Sequence, residues 1–345
     1  MIWRAAVLLV AVLAGCREGR REVVQPVAAK DDVVDFGRRL EPRGRVVLHG
    51  AGQTDDATFK EYSAVMGNAR PILYMSYVDL KDDLPRYFRG LKRDVEGYAD
   101  FVVPQIGLSL NGGDAKGHYE DEVASGGLDG RVKDLCAGIQ SLARPVYLRV
   151  GYEFNGEWNG YSPGAYVMAF RRIALMVRQC SAVTAVVWDF APDAGKLNYM
   201  RFYPGDEWVD WWGVNLFSET SFESSAVKEF LSEARGRRFP VMIGESAPRR
   251  HPVTEGARVV EGWYKPYFAL MRGHPEIKAF SYINWDWRIY KQWSDWGDSR
   301  VQDDGAVLKY WKGQLGDAQY LHARGRAETL KLLGVEMAEP VSKKH

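Results

Sequence analysis

The sequence predicts a (β/α)8 barrel. Three observations carry that expectation: eight short apolar runs between residues 45 and 285, amphipathic stretches between them with apolar positions three and four residues apart, and polar residues gathered just past the ends of several runs. Strands that alternate with helices pair in parallel, and eight such units in about 250 residues make a closed barrel. An open doubly wound sheet would alternate in the same way, but no Gly-x-Gly-x-x-Gly follows the first run, and eight units exceed what most open sheets use.

The N-terminus stands apart from this pattern. Residues 1–16 read MIWRAAVLLVAVLAGC, one Arg and then an apolar run too short to span a bilayer, in the order of an export signal. Its Leu-Ala-Gly-Cys ending resembles a bacterial lipobox, which makes Cys16 the expected site of lipidation and a membrane the expected partner of the N-terminus. Arg17 and Glu18 follow Cys16 with no Asp of the kind associated with inner-membrane retention, so an outer membrane or cell surface is favoured. Residues 1–15 are thus read as a signal peptide and 16–40 as lipidated N-terminus and tether. Residues 41–316 form the barrel domain and 317–345 a C-terminal helix and tail, with VSKKH at the end expected to be disordered.

The strands follow in order as RVVLHG at 45–50, PILYMSY at 71–77, DFVVPQIGL at 100–108, PVYLRVG at 145–151, AVTAVVWDF at 182–190, WVDWWGVNLF at 208–217, FPVMIGE at 239–245 and IKAFSYINW at 277–285. Helical spacing marks DDATFKEYSAVMG, GRVKDLCAGIQSLA, PGAYVMAFRRIALMVRQC, SSAVKEFLSEARG and TEGARVVEGWYKPYFALMRG between them. Cys136 and Cys180 fall in these helical patterns. Export permits a disulfide, but two buried free thiols are the expectation.

In such a barrel the carboxyl ends of the strands build the active site. Glu153 lies just past the fourth strand, in YLRVGYEFNGEWNGYSP, and Glu245 ends the seventh, in VMIGESAP. Two carboxylates from opposite sides of one ring suit glycosidic cleavage, which needs a protonated acid for the leaving oxygen and a second carboxylate at the sugar. A spacing of about 5–5.5 Å would give retention. Each Glu taken alone could equally cap a helix or pair with an Arg.

The stretch PVYLRVGYEFNGEWNGYSPGAYVMAFRRI resembles the fourth-strand block of glycoside hydrolase family 26, whose barrels include β-mannanases and related β-glycanases. FYPGDEWVDWWGVNLF is similar to the block leading into the family's sixth strand, and FPVMIGESAP to its nucleophile strand. The resemblance implies a retaining glycosidase with Glu153 as acid/base, Glu245 as nucleophile and Arg149 beside them. Two positions depart from the family. Tyr152 stands where a His usually precedes the acid/base, and Phe217 where a Tyr would touch the nucleophile.

Twelve Trp and eighteen Tyr exceed the needs of a core. Trp158, Trp188, Trp285 and Trp287 are expected to stack on sugar faces while Asn155, Asn215 and Asn284 bond the hydroxyls. Trp293 and Trp296 would extend the cleft wall, and His49 and Tyr77 are weaker binding candidates. Trp211, Trp212 and Trp263 suit the core equally well. Scattered His argues against a catalytic zinc, Ser246 lacks the Gly-x-Ser-x-Gly setting of a nucleophile, and LNGGDAKG lacks the ending of a phosphate loop. Nearly cancelling charge, 46 basic against 45 acidic residues, argues against nucleic acid. The reading is a monomer with no cofactor and no metal that acts on a β-linked mannan-, glucan- or xylan-like glycan. A non-catalytic glycan-binding barrel and a transglycosylase stay open as alternatives.

Overall fold

The computed structural model describes residues 35–52, 55–112, 117–194 and 198–336. Cys16, the tether up to residue 34 and the terminal VSKKH lie outside the described residues. Eight parallel strands close on themselves: β1 (Val47–Gly52), β2 (Leu73–Asp79), β3 (Val103–Ser109), β4 (Val146–Val150), β5 (Thr184–Phe190), β6 (Trp211–Leu216), β7 (Val241–Ser246) and β8 (Ile277–Tyr282). β1 pairs with both β8 and β2, which completes the (β/α)8 barrel. Helices Asp56–Met66, Leu84–Glu96, Asp129–Ser141, Pro163–Cys180, Ser225–Gly236, Lys265–Gly273 and Gly305–Leu315 surround it, while the described residues between β5 and β6 form short 3-10 turns. Asp55 and Ser224 cap their helices by accepting the amides of Thr58 and Val227.

The two-residue period of the strands divides their side chains between barrel interior and helix-facing surface. Leu73, Val103, Tyr147, Ala185, Val187, Trp211, Met242 and Ala279 form a buried interior cluster. Val146, Leu148, Val186, Trp188, Phe190, Trp212, Val214 and Ile243 belong to the larger cluster under the helices. Towards the carboxyl ends the interior turns polar, with buried Gln105, Arg149, Asp189, Asn215, Glu245 and Ser281. That gradient puts the chemistry at one mouth of the barrel.

Residues 35–44 close the other mouth, so the folded domain starts before residue 41. Leu40 is buried in the interior cluster. The Leu40 carbonyl accepts the Tyr147 hydroxyl at 2.6 Å, and the Arg39 carbonyl accepts the Trp211 indole N–H at 2.8 Å. The ammonium of buried Lys278 donates to the Pro42 carbonyl at 3.0 Å and to Asp35 at 3.2 Å. A short ninth strand, β9 (Tyr320–Leu321), pairs with the start of β1, and helix Arg326–Leu332 packs Leu330 against the same base.

Cys136 and Cys180 are disulfide-bonded, with Cα atoms 6.0 Å apart, which corrects the expectation of free thiols. Cys136 is buried as the pattern implies, while Cys180, at the end of its helix, is only partly buried. The adjacent helices simply bring the two sulfurs together, a relation that helical spacing alone does not encode.

Candidate active site

Arg149 organises the mouth. It points inward from β4 with no exposed surface, donates from Nε to Asp189 at 2.7 Å, and reaches Glu245 from Nη2 at 2.5 Å. Asp189 projects from β5 into room left by Gly213, where a Cβ would stand 2.7 Å from Asp189 Oδ1. Burial pushes Asp189 up to about 6, against the pull of Arg149. One guanidinium therefore serves two carboxylates.

Glu245 reaches this position through a bulge. Val214 pairs with Ile243 and Asn215 with Glu245, so Gly244 is an extra residue on β7. Met242 faces the interior and Ile243 the helices. Strict alternation would then turn Glu245 outward. The extra residue restores it to the interior, and Ser246 turns out to meet the Tyr267 hydroxyl at 2.8 Å. Gly244 has no room for a side chain, since a Cβ would lie 2.9 Å from both Arg149 Nε and Asn215 Oδ1. Its carbonyl is held by Gln105 at 2.8 Å.

Glu153 sits on the loop after β4 with φ of +53°, a left-handed conformation uncommon outside glycine. Asn159 secures that turn by donating to the carbonyls of both Tyr152 and Glu153 at 2.9 Å. Each oxygen of Glu153 accepts one N–H: Oε1 from Asn215 at 3.1 Å and Oε2 from Trp158 at 2.7 Å. Burial pushes Glu153 up to about 8, the charge of Glu245 adds to the rise, and the Asn215 bond opposes it. The two glutamates thus occupy contrasting settings, Glu245 ion-paired and Glu153 inclined to hold a proton.

Aromatic rings line the space around them. Tyr152 lies 5.0 Å from the Arg149 guanidinium and 5.4 Å from the Tyr77 ring, above Gly107, where a Cβ would clash with Tyr77. Phe217, Met75 and Ile283 form an apolar floor with Tyr77, Trp285 and Trp296 packed on it. Phe217 meets the Trp296 ring at 4.9 Å and, as a phenyl, offers no hydrogen bond to Glu245. The Trp285 indole N–H is buried without a protein partner. Trp158 is 47% exposed and Trp293 39% exposed at the rim.

Four expected binding residues do not reach this space. Trp188 shares the helix-facing side of β5, stacks on Phe154 at 4.5 Å and donates to the Phe202 carbonyl at 3.0 Å. His49 faces the helices from β1, where it bonds Tyr62 at 2.8 Å and His322 at 3.2 Å. Asn155 is tied to the Ala191 backbone in both directions, at 2.8 and 2.9 Å. Asn284 accepts from the Val301 amide at 2.9 Å and donates to Gln302 at 3.1 Å. Trp287 belongs to the apolar floor itself, buried with its ring 4.8 Å from that of Trp296 and its N–H on Ser299 at 3.1 Å. Trp211, Trp212 and Trp263 are fully buried core residues. Sequence reasoning missed Asp189, although counting two residues on from interior Val187 would have pointed to it. Among the described residues no group of three or more His, Cys, Asp or Glu is disposed to hold a metal.

The sequence model of glycosyl hydrolase family 26 matches residues 119–246, a span that contains Glu153 and Glu245. The β-1,3-xylanase TXYA of a Vibrio species is 29% identical over 317 residues, covering 80% of this chain and 66% of that protein. A β-1,3-xylanase of an Alcaligenes species is 29% identical over 63% of this chain and 51% of its own length. The chain thus spans between half and two thirds of these relatives. A mannan endo-1,4-β-mannosidase of Bacillus subtilis is 22% identical over 54% of the chain. Among solved structures, YdhT of Bacillus subtilis superposes with a TM-score of 0.58 at 16% identity, over 84% of this chain and 91% of that one. The family 26 endo-β-1,4-mannanase catalytic domain of Bacillus sp. JAMB-750 gives 0.58 at 14% identity, over 81% and 88%. The chain is thus a (β/α)8 barrel similar to glycoside hydrolase family 26 across the stretch that carries Glu153 and Glu245.

Proposed function

We propose that this barrel hydrolyses a β-linked polysaccharide with retention, and that β-1,3-linked xylan is its first candidate substrate. The observation that carries the reading is the pairing of unlike carboxyl groups at one mouth: Glu245 against Arg149, and Glu153 raised to about 8 chiefly by burial. Glu245 attacks the anomeric carbon as the glycosidic C–O bond breaks, and the Glu153 proton passes to the leaving oxygen. Water then attacks the glycosyl ester, its proton returns to Glu153, and Glu245 is released. The choice of xylan rests on the two β-1,3-xylanase relatives.

Reducing-end and mass-spectrometric assays on β-1,3-xylan, β-1,4-mannan and β-glucans test this, beside Glu153→Ala and Glu245→Ala. Products are expected from the wild type, with turnover falling at least about 10³-fold in each variant. Turnover that survives both substitutions, or an inverted anomer by NMR, refutes the mechanism. Lipidation at Cys16 and residence at an outer membrane or cell surface belong to the same proposal, and the Cys136–Cys180 disulfide supports export. The mass of the N-terminal peptide from cells tests the lipid.

A further inference from the structure

Trp158 occupies the reactive side of the acid/base residue. Asn215, fixed on β6 and buried, holds Glu153 Oε1, which leaves Oε2 as the oxygen free to exchange a proton with the leaving group. The Trp158 indole N–H sits on that oxygen at 2.7 Å. An N–H there occupies one of the two lone pairs of that oxygen and, by stabilising the ionised carboxyl, opposes its holding the proton that a glycosidic oxygen must receive.

The surrounding structure makes Trp158 the removable partner. Asn159 anchors the loop backbone at residues 152 and 153, and Asn111 donates to Asn159 at 2.8 Å, so the base of the loop is tied down. The Trp158 ring rests over Gly156, where a Cβ would approach it to 2.4 Å, and nearly half of the residue faces solvent. Asn215, by contrast, is 1% exposed.

We propose that Trp158 is a positioning residue that caps Glu153 Oε2 while the leaving-group side of the cleft is empty and yields that oxygen when the leaving sugar enters. The inference rests on the glycosidase reading and adds a timing element to it. An N–H bond favours the ionised carboxyl. Removing the cap as the leaving group arrives therefore favours the protonated acid at the step that spends the proton. Its return after departure favours the base that takes a proton from water. The charges facing Glu153 are Glu245 from β7, Asp189 from β5 and Arg149 from β4, with the phenols of Tyr77 and Tyr152 alongside. Trp158→Phe alters none of them and keeps a ring over Gly156.

Carboxyl ¹³C NMR titration of Glu153, assigned with Glu153→Gln, tests the cap without requiring turnover. The midpoint is expected to rise by about one pH unit in Trp158→Phe, by a similar amount in Trp158→Ala, and the basic limb of kcat/KM should move with it. A Phe variant that titrates with the wild type overturns the proposal, as does a shift seen in the Ala variant alone, which would assign the effect to ring packing. A wild type without turnover on any glycan would defeat the glycosidase reading while the titration still decides the cap.

Discussion

Asp189 and Arg149 show how a site depends on side chains with no exposed surface. Arg149 is held on one side by Asp189 and on the other by Glu245. Asp189→Asn keeps the shape and weakens the hold on Nε, so kcat is expected to fall about 10–100-fold with KM little changed, as displacement of a reacting group predicts. Steady-state kinetics that show the loss in KM alone would contradict that role. Glu153 sets a second expectation. Its proton is needed for the first step, so kcat/KM should decline as pH rises through about 8, as a pH–rate profile of the wild type will show. The carboxylate pair was legible in the sequence because polar residues past strand ends are conspicuous against apolar runs. Trp188 and His49 were misplaced for a reason equally physical: proximity to a strand end matters less than which face the residue takes. Trp188 shares parity with Val186 and Phe190, and His49 with Val47, all packed beneath the helices.

Between elements, a chain of neutral hydrogen bonds joins β1 to the last helix of the ring. The Trp311 indole donates to the Tyr62 hydroxyl at 2.8 Å, Tyr62 meets His49 Nε2 at 2.8 Å, and His49 Nδ1 meets His322 Nδ1 at 3.2 Å. His322 Nε2 ends the chain at the Leu315 carbonyl, 2.9 Å away. Two facing Nδ1 atoms can share only one proton. Burial, and the neighbouring His322, depress His49 well below its ordinary 6.5, and burial depresses His322. Histidines kept neutral in the fold are protonated more readily when unfolded, so their contribution is complete above pH 6.5 and is lost as pH falls below it. Tm should therefore drop between pH 7 and pH 5, and His49→Gln should flatten the drop. The disulfide ties helices Asp129–Ser141 and Pro163–Cys180 across a sequence separation of 44. Cys136→Ser is expected to cost about 2–4 kcal/mol, measured by urea denaturation. Neither feature was legible. Helical periodicity shows which side of a helix is buried and is silent about which neighbour it is buried against.

At the scale of the whole barrel, all eight strands were legible, each except β8 beginning one to three residues later than its apolar run. The base was not. Residues 35–44 carry no period, yet they supply the carbonyls that satisfy Tyr147, Trp211 and Lys278. A chain beginning at Arg45 loses all three, at about 1 kcal/mol each, and its Tm should fall by about 6–12 °C in a calorimetric scan. A lesser shift would mean that water replaces the plug. The bulge at Gly244 was also invisible, because an extra residue leaves composition and apolar spacing almost unaltered. Its effect is that of a frameshift within a strand. Closing the bulge at constant length, with Gly244 taking the place opposite Asn215, would mend the pairing of β7 with β6 and turn Glu245 towards the helices, yielding a barrel more regular than the native one and without its nucleophile. Selection for a better-formed sheet and selection for the nucleophile thus pull in opposite directions at this residue, so a search that ranks variants by stability alone would replace the glycine on which the proposed chemistry turns.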